Sequence, residues 1–493
     1  MSALHHSSRG FIARAFDGEN QAAAGALAIC AFGARKELAG LTHLSIVVGM
    51  ADNAARDAAA EVVARLRAAG HQAYFVGGCV RDLLLGRSPK DFDVATSALP
   101  DQVLTLFEKT FSVGAHFGVV LVCSGEIVTE VATFRNDGAY SDGRHPDAVQ
   151  FSTSPEEDAR RRDFTINGMM LDPVNDAVLD TVGGMQDLNA GLIRAIGNPA
   201  ERFAEDNLRM LRALRFAARF AFDLDPATAT AIERLAPEVT QVSRERVRDE
   251  LTRMLTEGRA RRAFELLDAT GLLAQVLPEV VRLKGVAQPP QYHPEGDVWV
   301  HTLMLLDGLG AGSPPALAWA ALLHDIGKPA TFRVAPDRIR FDGHVEVGIR
   351  IAEEICRRLR FPNYDTEQIL LLIANHMRFA DVRKMKESTL KRFFRLPHFE
   401  EHLALHRLDV LASHGSLELY DFARHRFETM PEEHVRPPLL LNGKDLIEAG
   451  YRPGPQFTQM LAMAEDAQLE GTIHTRDQAL ALIRDHWPTT QSQ

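Results

Sequence analysis

The chain has 493 residues, which is too long for one compact core and predicts two to four domains. Apolar residues make up 46% and charged residues 25%, as in ordinary globular proteins, so fibrous and low-complexity classes are excluded. The formal net charge of −11 argues against indiscriminate nucleic-acid binding but leaves room for a local basic face.

The cysteines and the apolar runs predict a cytoplasmic protein with no membrane segment. Cys30, Cys79, Cys123 and Cys356 are far apart and form no CxxC pair, so neither a disulfide framework nor a zinc site is indicated. No apolar run reaches the roughly 18 residues that a spanning helix needs. The nearest run, residues 22–34, follows acidic residues, which is unlike a signal peptide.

Regular patterning begins only near Met50. We treat residues 1–49 as an N-terminal extension without an assigned role and expect Met50 to be an alternative start. Residues 57–69 predict an amphipathic helix that Gly70 caps. Short strands and helices then alternate to about residue 180, which predicts a mixed α/β unit. From Pro199 onward helical patterns dominate.

The stretch GGCVRDLLLGRSPKDFDVAT carries a glycine pair, an arginine and two acids. If DFDVAT is a strand, Asp91 and Asp93 point to the same face. Two carboxylates beside a glycine turn suit Mg²⁺ bound together with substrate phosphates. Gly77 and Gly78 let backbone N–H groups approach phosphate oxygens, and Arg81 adds a charged donor.

A third acid completes the pattern of a two-metal site. Glu130 lies within the predicted strand EIVTEVATF, where an acid is costly unless it has a cation or a partner. A lone DxD is usually a turn or a solvated face. Glycines, arginine, DxD and a strand acid in this order, within about 55 residues, favour metal-assisted in-line displacement instead.

These motifs carry a resemblance to a known family. Together with RRDFTINGMM (161–170) and RFAEDNLRMLRALRFAARF (202–220), the first stretch resembles class II nucleotidyltransferases of the polymerase-β superfamily. That group contains CCA-adding tRNA nucleotidyltransferases and bacterial poly(A) polymerases. The resemblance covers nearly all of residues 55–490, with one departure: Gly168-Met169 more often reads Ala-Met.

The resemblance implies which residues select and hold the nucleotide. On a helix, Asp206 and Arg209 would share one face, and in the family this pair reads the incoming base without a template. Asp accepts from an exocyclic amine and Arg donates to ring nitrogens or carbonyls, which suits cytosine and adenine. Glu205 is expected to orient the pair. The plain structural alternative is a surface ion pair between positions i and i+3.

The RRDFTIN motif is implied to bind sugar and triphosphate. Arg162 is expected to contact phosphate, and Asp163 and Asn167 the ribose hydroxyls, although Asp163 would also suit a helix cap. The implied reaction is CCA addition to tRNA from CTP and ATP, releasing pyrophosphate. Asp91, Asp93 and Glu130 would hold Mg²⁺.

Related activities stay open. Poly(A) polymerases carry a basic stretch after the first motif, whereas residues 113–122, VGAHFGVVLV, resemble the CCA-adding form. CC-only relatives lack a loop that this chain keeps at residues 134–151, so that role is disfavoured, but an A-only enzyme is not excluded. A different class is a signalling hydrolase whose N-terminal part merely binds nucleotide; an RNA-binding scaffold with inactive sites is disfavoured by the intact acid sets.

A second set of potential ligands lies in the helical half. Adjacent His-Asp with distant His and Asp residues, followed by Lys328, resembles HD-domain metallohydrolases. Such ligands suit Mn, Fe, Ni or Mg, and a bound metal would activate water against a phosphoester. The expected ligands are His301, His324, Asp325, His344, His376 and Asp409.

The resemblance implies a polymerase-β-like mixed-sheet α/β head followed by an all-α neck, body, HD domain and tail. The expected domains are the extension 1–49, the nucleotidyltransferase head 50–198, the neck and body 199–285, the HD domain 286–430 and the tail 431–493. The partners expected are tRNA, CTP and ATP, with no protein partner predicted. Seven arginines against four acids between Arg244 and Arg262 suggest contacts to RNA phosphates.

Overall fold

The computed structural model describes residues 54–112, 118–137 and 149–488. The chain separates into two units. The first runs to Val281 and includes Gly310–Gly312, and the second comprises Arg282–Leu309 and the residues from Ser313 onward. The predicted extension, the alternative start, and parts of the segments 113–122 and 134–151 lie outside the described residues.

A seven-stranded mixed sheet forms the head of the first unit, in the order β3-β4-β5-β2-β1-β8-β9. Its strands are β1 Ala73–Val76, β2 Asp93–Thr96, β3 Thr110–Ser112, β4 Val119–Ser124, β5 Ile127–Thr133, β8 Met170–Asp172 and β9 Ala177–Leu179. Strands β2 and β5 are parallel, and all other neighbours are antiparallel. The mixed α/β head predicted from the sequence is confirmed.

Two short ribbons and a series of helices complete the first unit. The ribbons pair β6 Arg135–Asp137 with β7 Val149–Phe151 and β10 Leu192–Ile193 with β11 Asp223–Leu224. The head helices are α1 Ala54–Ala68, α2 Gly78–Leu84, α3 Pro100–Leu106, α4 Pro155–Arg160 and α5 Gly184–Ala190, with a 3₁₀ turn at Thr165–Asn167. Then follow α6 Pro199–Glu205, α7 Leu208–Phe220, α8 Pro226–Leu235, a 3₁₀ segment Ala236–Gln241, α9 Arg244–Thr256, α10 Ala260–Ala269, α11 Leu272–Val276 and α12 Pro278–Val281.

The amphipathic pattern of α1 explains how this helix packs in the head. Helix α1 buries Val62, Val63 and Leu66 on one side, as its amphipathic pattern predicts. The described helix begins at Ala54, slightly before the predicted start at residue 57. Gly70 follows it with a φ of +87°, a conformation that glycine adopts without strain.

The secondary structure predicted from the sequence is wrong at two of the motifs. Strand β2 begins at Asp93, so Asp91 precedes the strand rather than lying in it. Asp206 lies in the break between α6 and α7 with extended backbone, φ −151° and ψ 102°, and only Arg209 is helical. Turn chemistry outweighed periodicity here, because the Asp206 side chain accepts a hydrogen bond from the backbone N–H of Leu208.

The second unit is almost entirely helical. Its helices are α13 Val298–Asp307, α14 Pro315–Leu323, α15 Lys328–Thr331, α16 His344–Arg358, α17 Asn363–Asn375, α18 Glu387–Phe394, α19 Phe399–Ala412, α20 Glu418–Thr429, α21 Glu432–Val435, α22 Gly443–Glu448, α23 Gln456–Leu469 and α24 Arg476–His486. A 3₁₀ segment spans His376–Lys384, and β12 Arg333–Val334 pairs with β13 Ile339–Arg340. None of the helices in the described ranges is long and apolar enough to cross a membrane.

Two apolar clusters stabilise the C-terminal part of this unit. One is built on packed phenylalanines, with Phe379, Phe393 and Phe399 each within 6.1 Å of another ring centroid of the set. The other spans Leu441 to Ile483 and contains only residues of the last helices and the loops beside them. Helix α14 is buried from Leu317 to Leu323, which fits its continuous apolar sequence.

A close backbone approach in the head gives a test of this packing. A Cβ added to Gly184 would lie 2.3 Å from the carbonyl oxygen of Thr165 and 2.7 Å from Cγ of Met169. We expect Gly184→Ala to lower the free energy of unfolding by about 1–3 kcal/mol, because the first turn of α5 must move away from the Thr165–Asn167 turn. Urea denaturation would measure it.

Gly310→Ala is the matched control, because a Cβ there meets nothing within 4 Å. It should leave the urea midpoint nearly unchanged. A Gly184→Ala protein with the wild-type midpoint would contradict the packing described here.

Candidate active site and metal centre

Three carboxylates lie together at one place on the head sheet. In the parallel pair of β2 and β5, Val94 is opposite Val131, so Asp93 and Glu130 each precede a paired residue and lie on the same face. Asp91, Asp93 and Glu130 each keep solvent-accessible surface, although the carboxyl of Asp93 is partly buried, whereas Val94 and Val131 are fully buried. The structure therefore places the three predicted acids near one another, with Asp91 in the loop before β2, although their oxygens do not all lie within 4.8 Å of one another.

The electrostatics of this group favour a cation. Partial burial, reinforced by Glu130, raises the pKa of Asp93 to about 6; Arg162 acts in the opposite direction and Asp91 raises it further. A carboxylate whose charged form is disfavoured by burial and by neighbouring acids is stabilised by a divalent cation with oxygen ligands. The donor set thus fits the metal that the sequence predicts for it.

A glycine turn and Arg162 lie beside the carboxylates. Gly77 has a φ of +74°, which glycine adopts without strain, and a Cβ at this position would lie 3.4 Å from Nη1 of Arg162. Arg162 is itself held by Asp158, whose carboxylate accepts from its Nε at 3.2 Å and Nη2 at 2.8 Å. A bulkier residue at position 77 would crowd the arginine that faces Asp93.

A cavity of about 530 Å³ opens next to this turn, within the first unit. Nine of its seventeen lining residues are arginines and three are acids, so the lining is strongly positive. Gly77, Gly78 and Arg162 line one part, and Arg246 and Arg253 of helix α9 line another. The arginine excess is suited to a polyphosphate, since guanidinium groups make charge-assisted hydrogen bonds to phosphate.

The RRD motif forms a hydrogen-bonded group inside the cavity. Asp163 accepts from the amide of Asn167 at 3.0 Å and from Nη2 of Arg212 at 2.7 Å. Burial alone would raise the pKa of Asp163, but Arg212 and Asn167 outweigh it and lower the pKa to about 2. The predicted ribose ligands therefore stand next to each other in the cavity lining.

Arg81 has a different environment from the one the sequence suggests. It is 4% exposed, and its guanidinium donates to Asn167 at 2.5 Å and to Asp82 at 2.9 Å. Its charge also lies over the rings of Phe216 and Phe220. These contacts use Arg81 to orient Asn167 from within the protein rather than leaving a free guanidinium for phosphate.

Asp206 and Arg209 both line the cavity, each held by a neighbour. Nη1 and Nη2 of Arg246 donate to the two carboxylate oxygens of Asp206 at 3.1 and 2.7 Å. Nη1 of Arg209 donates to Glu205 at 2.5 Å. The ion pair between positions i and i+3, considered as the plain alternative, is thus replaced by separate partners, and Glu205 orients Arg209 as expected.

Sequence reasoning missed the residues that support this pair. Arg215 and Glu250 are 4% and 3% exposed and form a buried ion pair at 2.7 Å, and Arg215 also reaches Glu257 at 3.1 Å. From the sequence, Arg246 was predicted only to belong to the arginine run between Arg244 and Arg262, which suggested contacts to RNA phosphates. Nothing in the sequence around Arg246 indicates that it pairs with Asp206, which lies 40 residues earlier in the chain.

The six predicted ligands of the second unit form one buried cluster. Among the described residues, three groups have ligand atoms within 4.8 Å of one another: two of predicted ligands, His301, His324 and Asp409, and Asp325, His344 and His376, and a third of His293, Glu295 and His301. Asp325 connects the first two, with oxygens 3.2 Å from Nε2 of His324 and 3.7 Å from Nε2 of His344. Ligands from separate helical segments, far apart in the sequence, therefore lie close together, as the sequence pattern predicts.

The four imidazoles are oriented for a metal. Nδ1 of His324, His344 and His376 each faces a backbone carbonyl, at 3.1, 3.0 and 2.7 Å. Within the described residues, Nε2 of all four histidines is buried without a hydrogen-bond partner. Buried unpaired acceptors are costly, so four of them facing two carboxylates fit a bound cation.

The charges of the cluster fit a metal at most of its ligands; at His301, burial would lower the pKa, but Asp409 and Glu295 outweigh it and raise the pKa to about 9, so a metal must displace a proton there. Burial, together with His324, lowers the pKa of His376 to about 4, which keeps this imidazole neutral. Burial would raise the pKa of Asp325, but His324 and Lys328 outweigh it and hold the pKa well below its usual range. Neutral imidazoles beside ionised carboxylates are the form in which both bind metals.

Three further polar residues near this cluster were not predicted from the sequence. Lys328 lies 2.6 Å from Asp325 and donates to the buried Gln288 at 2.7 Å. Glu295 lies within 2.8 Å of Nδ1 of both His293 and His301. Gln288, His293 and Glu295 belong to the loop before α13, where no periodic pattern marks a buried side chain.

Three protein families match successive parts of the chain. "Poly A polymerase head domain" matches residues 73–194, "Probable RNA and SrmB- binding site of polymerase A" matches residues 221–283, and "HD domain" matches residues 297–407. The three matches follow the order of the head, the helices after it and the histidine cluster. The first and last contain the carboxylate site and five of the six cluster residues.

The curated relatives include CCA-adding enzymes and a poly(A) polymerase. The CCA-adding enzyme of Streptococcus gordonii is 32% identical over 413 residues, covering 84% of this chain and 92% of the relative. That of Bacillus pumilus is 42% identical over 260 residues, covering 52% and 60%. Poly(A) polymerase I of Salmonella typhi is 44% identical over 234 residues, covering 45% and 50%. The two shorter alignments span only about half to three fifths of those relatives.

A solved structure is similar over most of its length. The crystal structure of Bacillus stearothermophilus CCA-adding enzyme in complex with CTP superposes with a TM-score of 0.68 at 29% identity. It covers 88% of this chain and 98% of that one.

The raised pKa of Asp93 predicts how stability depends on pH. The unfolded pKa is about 3.9, so ionisation is harder in the folded state, and stability falls as pH rises from about 4 to 6 before levelling off. In EDTA, we expect Asp93→Asn to be more stable than the wild type at pH 7 and equally stable near pH 4. Urea midpoints across this range would show the difference.

Glu126→Gln removes an exposed acid in the turn between β4 and β5 and serves as the control. It should leave the pH profile unchanged. A constant difference between Asp93→Asn and the wild type at every pH would show that the three carboxylates do not interact as described.

Proposed function

Because the chain belongs to the CCA-adding enzymes, we propose that it adds C and A to the 3′ end of tRNA from CTP and ATP. The hydroxyl at the RNA end attacks the α-phosphorus, and pyrophosphate leaves. The observation that carries this proposal is one cavity lined by Asp206, Arg209 and an excess of arginines, next to three carboxylates.

The contacts of Asp206 explain how a protein surface can choose cytosine and adenine. One oxygen accepts from the N–H of Leu208 and from Arg246, and the other accepts from Arg246 alone. A carboxylate offers about four acceptor positions, so about one is left for the exocyclic amine of a base. Uracil and guanine present a carbonyl there and would leave the acceptor unpaired, at a cost of about 1–3 kcal/mol.

The other site residues predicted from the sequence have the following roles in this proposal. Glu205 holds Arg209 so that its other guanidinium nitrogens can donate to the base. Asp163 and Asn167 accept and donate to the ribose hydroxyls, and Arg162 meets the triphosphate beside Gly77 and Gly78. Arg81 acts through Asn167, which it orients.

The head carboxylates would hold Mg²⁺. Asp91, Asp93 and Glu130 supply hard oxygen ligands, and the ion, when bound, contributes charge neutralisation at the attacking and leaving oxygens. Because the ionised carboxylates bind it, Mg²⁺ should stabilise the protein more at pH 7 than at pH 5. The protein residues keep the acids on one face and hold the phosphates with Arg162.

The second unit would act as a metal-dependent phosphohydrolase or phosphodiesterase. Its four imidazoles and two carboxylates suit Mn, Fe, Ni or Mg. We place the protein in the cytoplasm, because Cys79, Cys123 and Cys356 are all unpaired, as a reducing compartment would keep them.

The decisive experiment separates the two units. Purified protein is incubated with tRNAs that end before, within and after CCA, with each NTP supplied separately. We expect C to be added to the shortest tRNA and A to the tRNA ending in CC. Asp91→Ala should abolish both incorporations, because it removes a metal ligand, and leave phosphate release from nucleotides or 2′,3′-cyclic substrates intact.

The outcomes distinguish the alternatives. Addition of A alone would identify an A-adding enzyme, and long A tails on any RNA would identify a poly(A) polymerase. Hydrolysis without any incorporation in the wild type would favour a signalling hydrolase. Absence of phosphate release with Ni²⁺, Mn²⁺ or Mg²⁺ would refute the hydrolase part only.

Arg246 provides a test of base selection. In Arg246→Ala the Asp206 carboxylate loses the two hydrogen bonds that fix its plane, so it can rotate and no longer presents one fixed acceptor to the base. We expect the preference for CTP over UTP, measured as the ratio of kcat/KM values, to fall by about tenfold or more.

Arg56→Ala is the matched control, because it breaks an exposed Arg–Asp pair with Asp176 away from the cavity. It should keep the wild-type preference. If Arg246→Ala lowers kcat/KM for CTP and UTP by the same factor, Arg246 supports the fold rather than the choice of base.

A further inference from the structure

We propose that Glu295 is a positioning residue for the metal centre of the second unit: it holds His301 so that Nε2 faces the metal. The inference rests on the proposed metal site and adds to it a residue outside the six expected ligands. Glu295 belongs to the loop before α13, and its side chain is 4% exposed.

The geometry separates the two sides of the His301 ring. Nδ1 lies 2.8 Å from Oε1 of Glu295. On the other side, Nε2 lies 3.1 Å from Oδ1 of Asp409 and 3.8 Å from Oδ2 of Asp325. A carboxylate can only accept, so Glu295 keeps a proton on Nδ1, and the nitrogen left to exchange its proton for a metal is Nε2, which faces the two aspartates.

His301 differs in this respect from the other three histidines. Their Nδ1 atoms face backbone carbonyls three residues earlier, which no substitution can remove. Only His301, among the four, depends on a side chain for its tautomer. Its orientation can therefore be tested without changing any ligand.

The charge of Glu295 strengthens the effect. Oε2 of Glu295 is buried and has no hydrogen-bond partner within the described residues, so the negative charge is balanced mainly through the imidazoles. A carboxylate on the far nitrogen makes the metal-binding nitrogen a stronger donor. His293 shares the same oxygen at 2.8 Å but is more exposed, at 18%.

The test measures metal affinity rather than activity. The full chain carries Asp93→Asn so that the head carboxylates contribute little, and Mn²⁺ or Ni²⁺ is titrated calorimetrically into the metal-free protein. Glu295→Ala should weaken binding by about 10–100-fold. Glu295→Gln should weaken it less, because the amide oxygen can still accept from both imidazoles while the charge is lost.

Rescue of the metal affinity by formate distinguishes a positioning role of Glu295 from a merely structural one. Added to Glu295→Ala, it can occupy the space of the missing carboxylate and should restore much of the lost affinity, whereas equal chloride should not. Circular dichroism checks that each variant is folded. A Glu295→Ala protein that is unfolded leaves the comparison to Glu295→Gln, whose affinity must still lie below that of the parent.

Two controls complete the design. Glu367→Ala removes an exposed acid of α17 and should bind as the parent does. His293→Ala removes the other imidazole and should weaken binding by less than about tenfold, since Glu295 keeps its bond to His301.

The outcomes are separable. A parent that binds neither metal refutes the proposed metal site itself. A parent that binds, with Glu295→Ala equally tight or His293→Ala as weak as Glu295→Ala, overturns the role of Glu295.

Discussion

The nucleotide cavity depends on a chain of arginine–carboxylate pairs in the first unit. Arg212 joins Asp163 at 2.7 Å, Arg215 joins the buried Glu250 at 2.7 Å, and Arg246 joins Asp206 at 2.7 Å. Helix α7 supplies the first two arginines, and α9 supplies Glu250 and Arg246. Removing one partner of the buried Arg215–Glu250 pair would leave an uncompensated charge, so this pair holds α7 against α9, while the partly exposed pairs of Arg212 and Arg246 orient Asp163 and Asp206.

The two potential metal sites differ in chemistry because their surroundings differ. The head site has exposed carboxylates on a sheet face, so its ligands are hard oxygens and phosphates can approach from solvent. The cluster of the second unit is buried, and His301 and His376 are 0% and 4% exposed. Neutral nitrogen donors dominate there, which favours transition metals.

Much of the site was predictable because its chemistry requires particular residue types in a fixed order along the chain. The glycine turn, Asp93 and Glu130 could be grouped, since strand alternation places alternate side chains on one face, and burial bears this out around Val94. Strand alternation failed for Asp91 and helical spacing failed for Asp206, because loop backbone replaces regular structure at both. Local hydrogen bonds to side chains decide such breaks, and they leave little trace in periodicity.

The sequence by itself determined the mixed α/β head, the helical remainder and the family, and it predicted a chemical type for both sites. These follow from patterns that are local or that recur in a fixed order. Only the tertiary structure decided the partners: Arg246 for Asp206, Asn167 for Arg81 and Glu295 for His301. Ion pairs and hydrogen bonds of this kind join residues that are distant in sequence or lie in aperiodic loops. Which residues pair depends on how the helices pack against one another, and no short segment of sequence specifies that packing.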